Sequence, residues 1–339
     1  MIKVAPFRRR LLDWYDREAR ALPWRTPPRS GMRPDPYRVW LSEVMLQQTT
    51  VPHAMPYFLE FTRRWPTVET LTAAEDAEVM SAWAGLGYYA RARNLLKTAR
   101  AVAADHGGVF PDTEDGLLRL PGVGPYTAAA VAAIAFDRPA NVVDGNVERV
   151  VARLHAVETP LPGAKPELKH LAGGLVAADR PGDWAQALMD LGATICRPRA
   201  PLCDRCPVAV DCEAFRQGEP DRYPLRLRKA ARPRRYGTVW VLRDGQGRIG
   251  LMRRPPQGLL GGMLGLPTSE WLDAPVEAEP PIAAAWRAVG EVEHVFTHFH
   301  LTLRVMTAEG LADSLIWDED AAGLPSVFLK AVRLTRPER

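Results

Sequence analysis

An all-helical domain followed by a smaller domain with substantial β structure is the fold class predicted by these 339 residues, and three observations carry it. From about Leu11 to Ala214, stretches such as AEVMSAWAGLGYYARARNLLKTARAVAADHG and PYTAAAVAAIAF are rich in Ala and Leu, with apolar residues three and four apart, as helices require. After Cys212 the chain reads RQGEPDRYPLRLRKAARPRR, which is basic, proline-containing and without apolar period, the composition of a linker. Beyond it YGTVWVLRDGQGRIGLMRR reads as two strands about a Gly-containing turn. EVEHVFTHFHLTLRVMTAE alternates, with Val295, Phe299, Leu301, Leu303 and Val305 on one side. The expected organisation is therefore multidomain: 1–217 helical, 218–234 linker and 235–339 α+β.

With 47% hydrophobic and 25% charged residues, the chain has the balance of a globular protein. No apolar run approaches the roughly 20 residues of a membrane span, so no membrane partner is expected. The opening MIKVAPFRRRLLDWYDREAR lacks a signal-peptide core, which predicts a cytoplasmic location. Residues through Arg232 carry 32 Lys and Arg against 27 Asp and Glu, and the remainder 12 against 13. That mildly basic front part is compatible with nucleic acid without requiring it.

In a reducing compartment the four cysteines are better metal ligands than disulfides. Cys196, Cys203, Cys206 and Cys212 fall in CRPRAPLCDRCPVAVDC, as C-x6-C-x2-C-x5-C. Four thiolates this close can surround a cubane iron–sulfur cluster. Structural zinc is the competing reading, although it more often uses two C-x2-C knuckles and one is present. Arg197, Arg199 and Arg205 lie among the ligands, either solvating the loop or meeting phosphates.

Candidate chemistry begins at SEVMLQQTTV. Asp35 suits a helix N-cap and Pro36 the first helical position, so a helix starts there. Val39, Glu43, Leu46 and Thr50 then share one line of that helix, which sets Glu43 at the margin of an apolar face. Desolvation in such a place raises a carboxyl pKa and makes a proton donor. The alternative is a glutamate on a polar flank paired with a base.

Further on, LLRLPGVGPYTAAAV places Gly122 and Gly124 between two helical segments. Glycines allow a sharp turn there, and the second helix presents free N–H groups suited to a phosphate. In NVVDGNVERVVARL, Asp144 precedes a helix and reads either as an N-cap or as a carboxylate kept ionised by helix-terminal N–H groups. Two carboxyl groups with separated pKa values are what glycosidic cleavage uses.

Taken together and in order, SEVMLQQT, GLGYYARARNL, LPGVGPYTAAAV, VVDGNVERV and the cysteine loop resemble the MutY adenine DNA glycosylases of the helix-hairpin-helix superfamily. The resemblance implies a helix-hairpin-helix glycosylase domain with an iron–sulfur loop, a [4Fe-4S] cluster on the four cysteines, and a Nudix-like second domain. Its counterparts in the latter are GLLGGMLGLP and HVFTHFHL. It implies Glu43 as the general acid protonating adenine N7 and Asp144 as the stabiliser of the sugar cation. Tyr126 and Asn146 would orient them. Gln186 matches a position contacting the adenine edge, Gln48 and Tyr88 match residues inserted into the base stack, and Leu46, Gly122 and Gly124 fall at DNA-contacting positions. Phe296, Thr297 and His298 would help recognise the opposite base. The implied substrate is double-stranded DNA carrying 8-oxoguanine:adenine or guanine:adenine mispairs, bound by a monomer. Tyr126 stands where related endonuclease III enzymes place a lysine nucleophile, so a monofunctional enzyme is expected.

Three departures accompany the resemblance: Pro125 where a basic residue is frequent, Phe-Thr-His in place of Phe-Ser-His, and PPRSGMRP lengthening the loop before the Glu43 helix. His294, His298 and His300 would share a strand face, so a metal site is conceivable there. TSEWLDAPVEAEPP lacks the glutamate-rich core of a Nudix hydrolase, which predicts a recognition module. A glycosylase for another mispaired base and a non-catalytic, redox-responsive DNA-binding protein are the rival readings. The first leaves the glutamate without purpose, because a purine gains most from ring protonation, and the second leaves its pairing with Asp144 unexplained.

Overall fold

The computed structural model describes residues 2–227, 231–255, 258–296, 298–319, 321 and 323–336. The chain divides into two compact units, Met1–Arg228 and Lys229–Arg339. Among the described residues no helix is long and apolar enough to cross a membrane.

The first unit runs through α1 (Val4–Glu18), α2 (Pro36–Leu46), α3 (Val51–Arg64), α4 (Val68–Thr72), α5 (Asp76–Ala82), α6 (Ala90–His106), α7 (Glu114–Leu118), α8 (Pro125–Phe136), α9 (Gly145–His155), α10 (Lys165–Gly173), α11 (Pro181–Asp190) and α12 (Glu213–Arg216). The helix that is apolar all round, α8, lies at its centre with Thr127 to Ala135 buried, and α2, α7 and α11 pack on it. Alanine suits this place because small side chains let three neighbours approach one axis.

The helical stretch 77–107 is divided between α5 and α6, where Gly85 (φ +97°), Gly87 (φ +75°) and Tyr88 (φ +50°) leave the right-handed region. Helix propensity on either side cannot override three left-handed residues. The segment from 218 onward, read as linker, begins inside the helical unit: Tyr223 is buried, and Leu161 and Leu225 are joined by an N–H···O bond of 2.8 Å.

The second unit contains β1 (Arg234–Arg243), β2 (Ile249–Arg253), β3 (Leu264–Gly265), β4 (Arg287–Val295), β5 (His300–Glu309), β6 (Ile316–Asp318) and α13 (Ser326–Leu334). The sheet order is β3-β2-β1-β5-β4, with β6 also on β2 and with β1 parallel to β5. Val327, Phe328, Ala331 and Val332 of α13 close a core with Val239, Leu301, Leu303 and Val305. Residues 266–286, between β3 and β4, contain no helix, and Thr268 and Leu272 bridge to Val239 and Tyr236 of β1.

The alternation expected across 291–309 is interrupted. Strands β4 and β5 form a hairpin pairing Val295 with His300 and His294 with Leu301. The turn changes the side-chain parity, so Leu301, Leu303 and Val305 are buried while Val295 is exposed. His294, His298 and His300 consequently share no strand face: one lies on β4, one in the turn and one at the start of β5.

Candidate active site and cysteine loop

Asp35 caps α2, accepting from the Tyr37 N–H at 2.9 Å, and Pro36 occupies its first turn. The helix thereby turns Val39, Trp40, Val44 and Met45 inward, and Glu43 goes with them, 6% exposed. Its partner is Tyr126, from the first turn of α8, whose hydroxyl donates to Glu43 Oε2 at 2.8 Å. Asp144 is the N-cap of α9: the Val147 N–H donates to Oδ1 at 2.7 Å and Asn146 Nδ2 to Oδ2 at 3.0 Å. Glu43, Tyr126, Asp144 and Asn146 line one cleft of about 1060 Å³.

Burial, reinforced by the charge of Asp144, pushes the Glu43 carboxyl up to about 7 against the opposing Tyr126 hydrogen bond and the Arg25 charge. Glu43 is thus a half-protonated acid near neutrality, not a solvated flank residue. Burial followed by the Glu43 charge holds the Tyr126 phenol far above its ordinary range, so it remains a neutral donor. Asp144 departs from expectation. Its cap bonds favour the ionised form, yet burial outweighs them and its pKa is also raised. A free N-cap would behave as expected, but this one lies against the cleft wall.

Leu46, Gln48, Gly122, Gly124 and Gln186 line the same cleft. Gln186 is buried and donates to the Gly182 carbonyl at 3.2 Å. Of the two glycines, Gly122 meets the turn's demand, with φ +83° and a Cβ position only 2.7 Å from Asn94 Cβ. Gly124 is extended and faces open space before α8. Tyr88 lies outside the cleft lining, is 51% exposed and, like Gln48, has left-handed backbone. In the second unit Phe296 stacks on Trp271 at 5.7 Å and meets His294 edge-on at 4.5 Å; His298 is exposed. Thr297 lies outside the described residues.

Several residues of the site were not singled out from sequence. Asp190 is fully buried and accepts from Arg20 Nε and Arg25 Nη1, both at 2.7 Å, which holds both arginines along the cleft. A carboxylate in the apolar run ALMDLGA carries the same signal that marked Glu43, whereas Arg25, in a loop, carries none. Arg149 donates to the Cys196 carbonyl at 2.7 Å and to Asn146 Oδ1 at 2.9 Å. A continuous chain of hydrogen bonds therefore joins the cysteine loop to Asp144.

The four cysteines line a single small cavity with Arg153, Ile195 and Phe215, and no carboxylate or histidine is part of it. Arg153, 1% exposed, places Nη1 3.2 Å from Cys196 Sγ. Burial and the neighbouring cysteines raise the Cys203, Cys206 and Cys212 thiols, Cys206 to about 12, so a cationic group is needed among them to hold thiolates. Among the described residues no three His, Cys, Asp or Glu side chains stand close enough to hold one metal ion. The donor set itself, four sulfurs in an apolar pocket beside one guanidinium, fits an iron–sulfur group. Arg197 bonds to the Ala200 carbonyl, and Arg199 and Arg205 are exposed.

A helical unit that buries one acid beside a capped second one, behind a glycine turn, defines a DNA glycosylase, and comparison with known proteins agrees. Residues 41–172 match the family described as HhH-GPD superfamily base excision DNA repair protein, and 238–334 match the NUDIX domain. The chain is 38% identical to the adenine DNA glycosylase of Homo sapiens, covering 89% of this chain and 67% of that one. It is 36% identical to that of Mus musculus, covering 97% and 77%. The structure of a thermostable thymine-DNA glycosylase shares 32% identity and a TM-score of 0.56, over 62% of this chain and 96% of that one. The chain belongs to the adenine DNA glycosylase family. It is a DNA-binding enzyme of base excision repair.

Proposed function

We propose that the enzyme hydrolyses the N-glycosidic bond of adenine mispaired with 8-oxoguanine or guanine in duplex DNA, leaving an abasic site. The observation that carries this reading is Glu43, buried opposite Asp144 with its pKa raised to about 7. A base inside a duplex cannot reach a buried acid, so the adenine is extruded into the cleft, with Gln186 at its edge. Glu43 protonates N7, and the C1′–N9 electron pair leaves with the base. The Asp144 carboxylate, held by Val147 N–H and Asn146, stabilises the sugar cation until water adds. Tyr126, a neutral phenol bonded to Glu43, offers no amine for a Schiff base, which favours a monofunctional enzyme. Gln48, Tyr88 and Leu46 contact the opened stack, the turn at Gly122 and Gly124 meets a phosphate, and Phe296, Thr297 and His298 read the opposite base. The enzyme works as a cytoplasmic monomer on this reading.

Single-turnover base release from duplexes with adenine opposite 8-oxoguanine, guanine, cytosine or thymine tests this. Release fastest opposite 8-oxoguanine, with little borohydride-trappable adduct, is expected; intact adenine in all four duplexes overturns it. His298→Ala is expected to lower the preference for 8-oxoguanine over guanine about tenfold, the scale of one lost base contact, while cleavage opposite guanine changes less. Equal loss on both substrates contradicts that role.

Cys196, Cys203, Cys206 and Cys212 would hold a [4Fe-4S] cluster, which supplies a redox-active group and ties four points of the loop together. Broad visible absorbance of the purified enzyme, lost in Cys203→Ala together with DNA affinity, is the expected result. A colourless, zinc-containing protein sinks this assignment.

A further inference from the structure

Two exposed residues near the cleft, Gln48 and Tyr88, have left-handed backbone although neither is glycine. Such conformations persist only where surrounding contacts impose them, and they concentrate where a side chain must be presented in one direction. The two lie on separate loops, one after α2 and one before α6. A single guanidinium joins those loops. Arg91 Nη1 donates to the carbonyls of Val44 (3.1 Å), Met45 (3.0 Å) and Gln47, the last-turn acceptors of α2. Its Nη2 donates to Leu86 (3.1 Å) and Gly87 (3.2 Å), the residues just before Tyr88. The guanidinium carbon also lies 5.4 Å from the ring centroids of both Tyr88 and Trp83.

Five carbonyls and two rings therefore occupy this cation, and among the described residues no carboxylate pairs with it. Three of the carbonyls sit at the negative end of the α2 dipole, which matches a positive charge. A lysine is a point charge with three donors and cannot span both loops as a planar fork does. Glu43 directly precedes Val44, the first residue whose carbonyl Arg91 holds, so the clamp lies next to the acid without touching it.

We infer that Arg91 is a positioning residue that locks the Gln48 and Tyr88 loops into one rigid wedge, so that both side chains enter the duplex together when the adenine leaves the stack. This rests on the proposed reading that these two side chains contact the opened stack. The wedge matters for extrusion and not for bond cleavage, since Arg91 touches neither carboxylate. Disruption should therefore be felt most where a partner base resists extrusion.

The test compares the wild type and Arg91→Lys on two substrates: adenine mispaired with 8-oxoguanine, and adenine opposite an abasic-site analogue, where no partner base holds it. The expected loss for R91K is tenfold or more on the first and under about threefold on the second, with 2-aminopurine fluorescence reporting less extrusion on the first. Equal losses on both substrates, or no loss on the first, overturn the inference. Tyr88→Ala alone checks the underlying reading, because extrusion falls if that ring enters the stack and is unchanged if it does not. The clamp is read separately from the double variant R91K/Y88A, whose loss should lie near the larger single loss. A loss equal to the product of the two shows independent residues and removes the clamp.

Discussion

Glu43→Gln is expected to abolish adenine release, by about a thousandfold or more, while making the protein more stable at pH 8. The two effects have one cause. A buried carboxyl whose pKa rises from 4.5 to about 7 holds its proton in the folded state and loses it in the unfolded state over that window. Stability therefore falls as pH increases from 4.5 to 7, by a total of roughly 3 kcal/mol when the shift is converted by linkage. Below the unfolded value both states are protonated and the cost vanishes. Glutamine accepts the Tyr126 hydroxyl without ever ionising, so its melting temperature should exceed the wild type's by several degrees at pH 8 and match it at pH 4. The wild-type single-turnover rate should fall about tenfold per pH unit above 7, as the protonated fraction does. A glutamine variant that is destabilised at pH 8, or a flat alkaline limb for the wild type, contradicts the buried acid.

Much of this site was legible because its signals are local. Asp35-Pro36 announces a helix, the line of Val39, Glu43 and Leu46 follows from its period, and Asp144 before Gly145 is a cap by residue type alone. What escaped depends on chain segments meeting in space. The raised pKa of Asp144 comes from the cleft wall, and no feature of NVVDGNVERV reports how deeply that cap is buried. Arg25 reaches the cleft through Asp190, more than 160 residues away in sequence. The parity of Val295 was misread because the hairpin turn at 296–299 contains no glycine or proline to mark it.

Asp144→Asn is the second substitution with a large expected effect, and it separates charge from position. Asparagine is as good an N-cap as aspartate, so its Oδ1 still accepts from the Val147 N–H and α9 retains its start. The lost charge removes the stabiliser of the sugar cation, for which a fall of about a thousandfold or more is expected. The new amide also turns a donor toward Asn146 Nδ2, where Oδ2 now accepts at 3.0 Å. Asn146 can relieve that clash by rotating its amide, but its Oδ1 then leaves Arg149 Nη2, and the bonded chain from Asp144 to the Cys196 carbonyl is cut. The double variant D144N/N146D restores an acceptor to both neighbours without restoring the carboxylate at 144. Its thermal stability should return toward the wild type's while its single-turnover rate stays at the level of D144N. If the rate recovers with stability, position and not charge is what Asp144 contributes; if D144N itself remains within tenfold of the wild type, the cation is stabilised by another group.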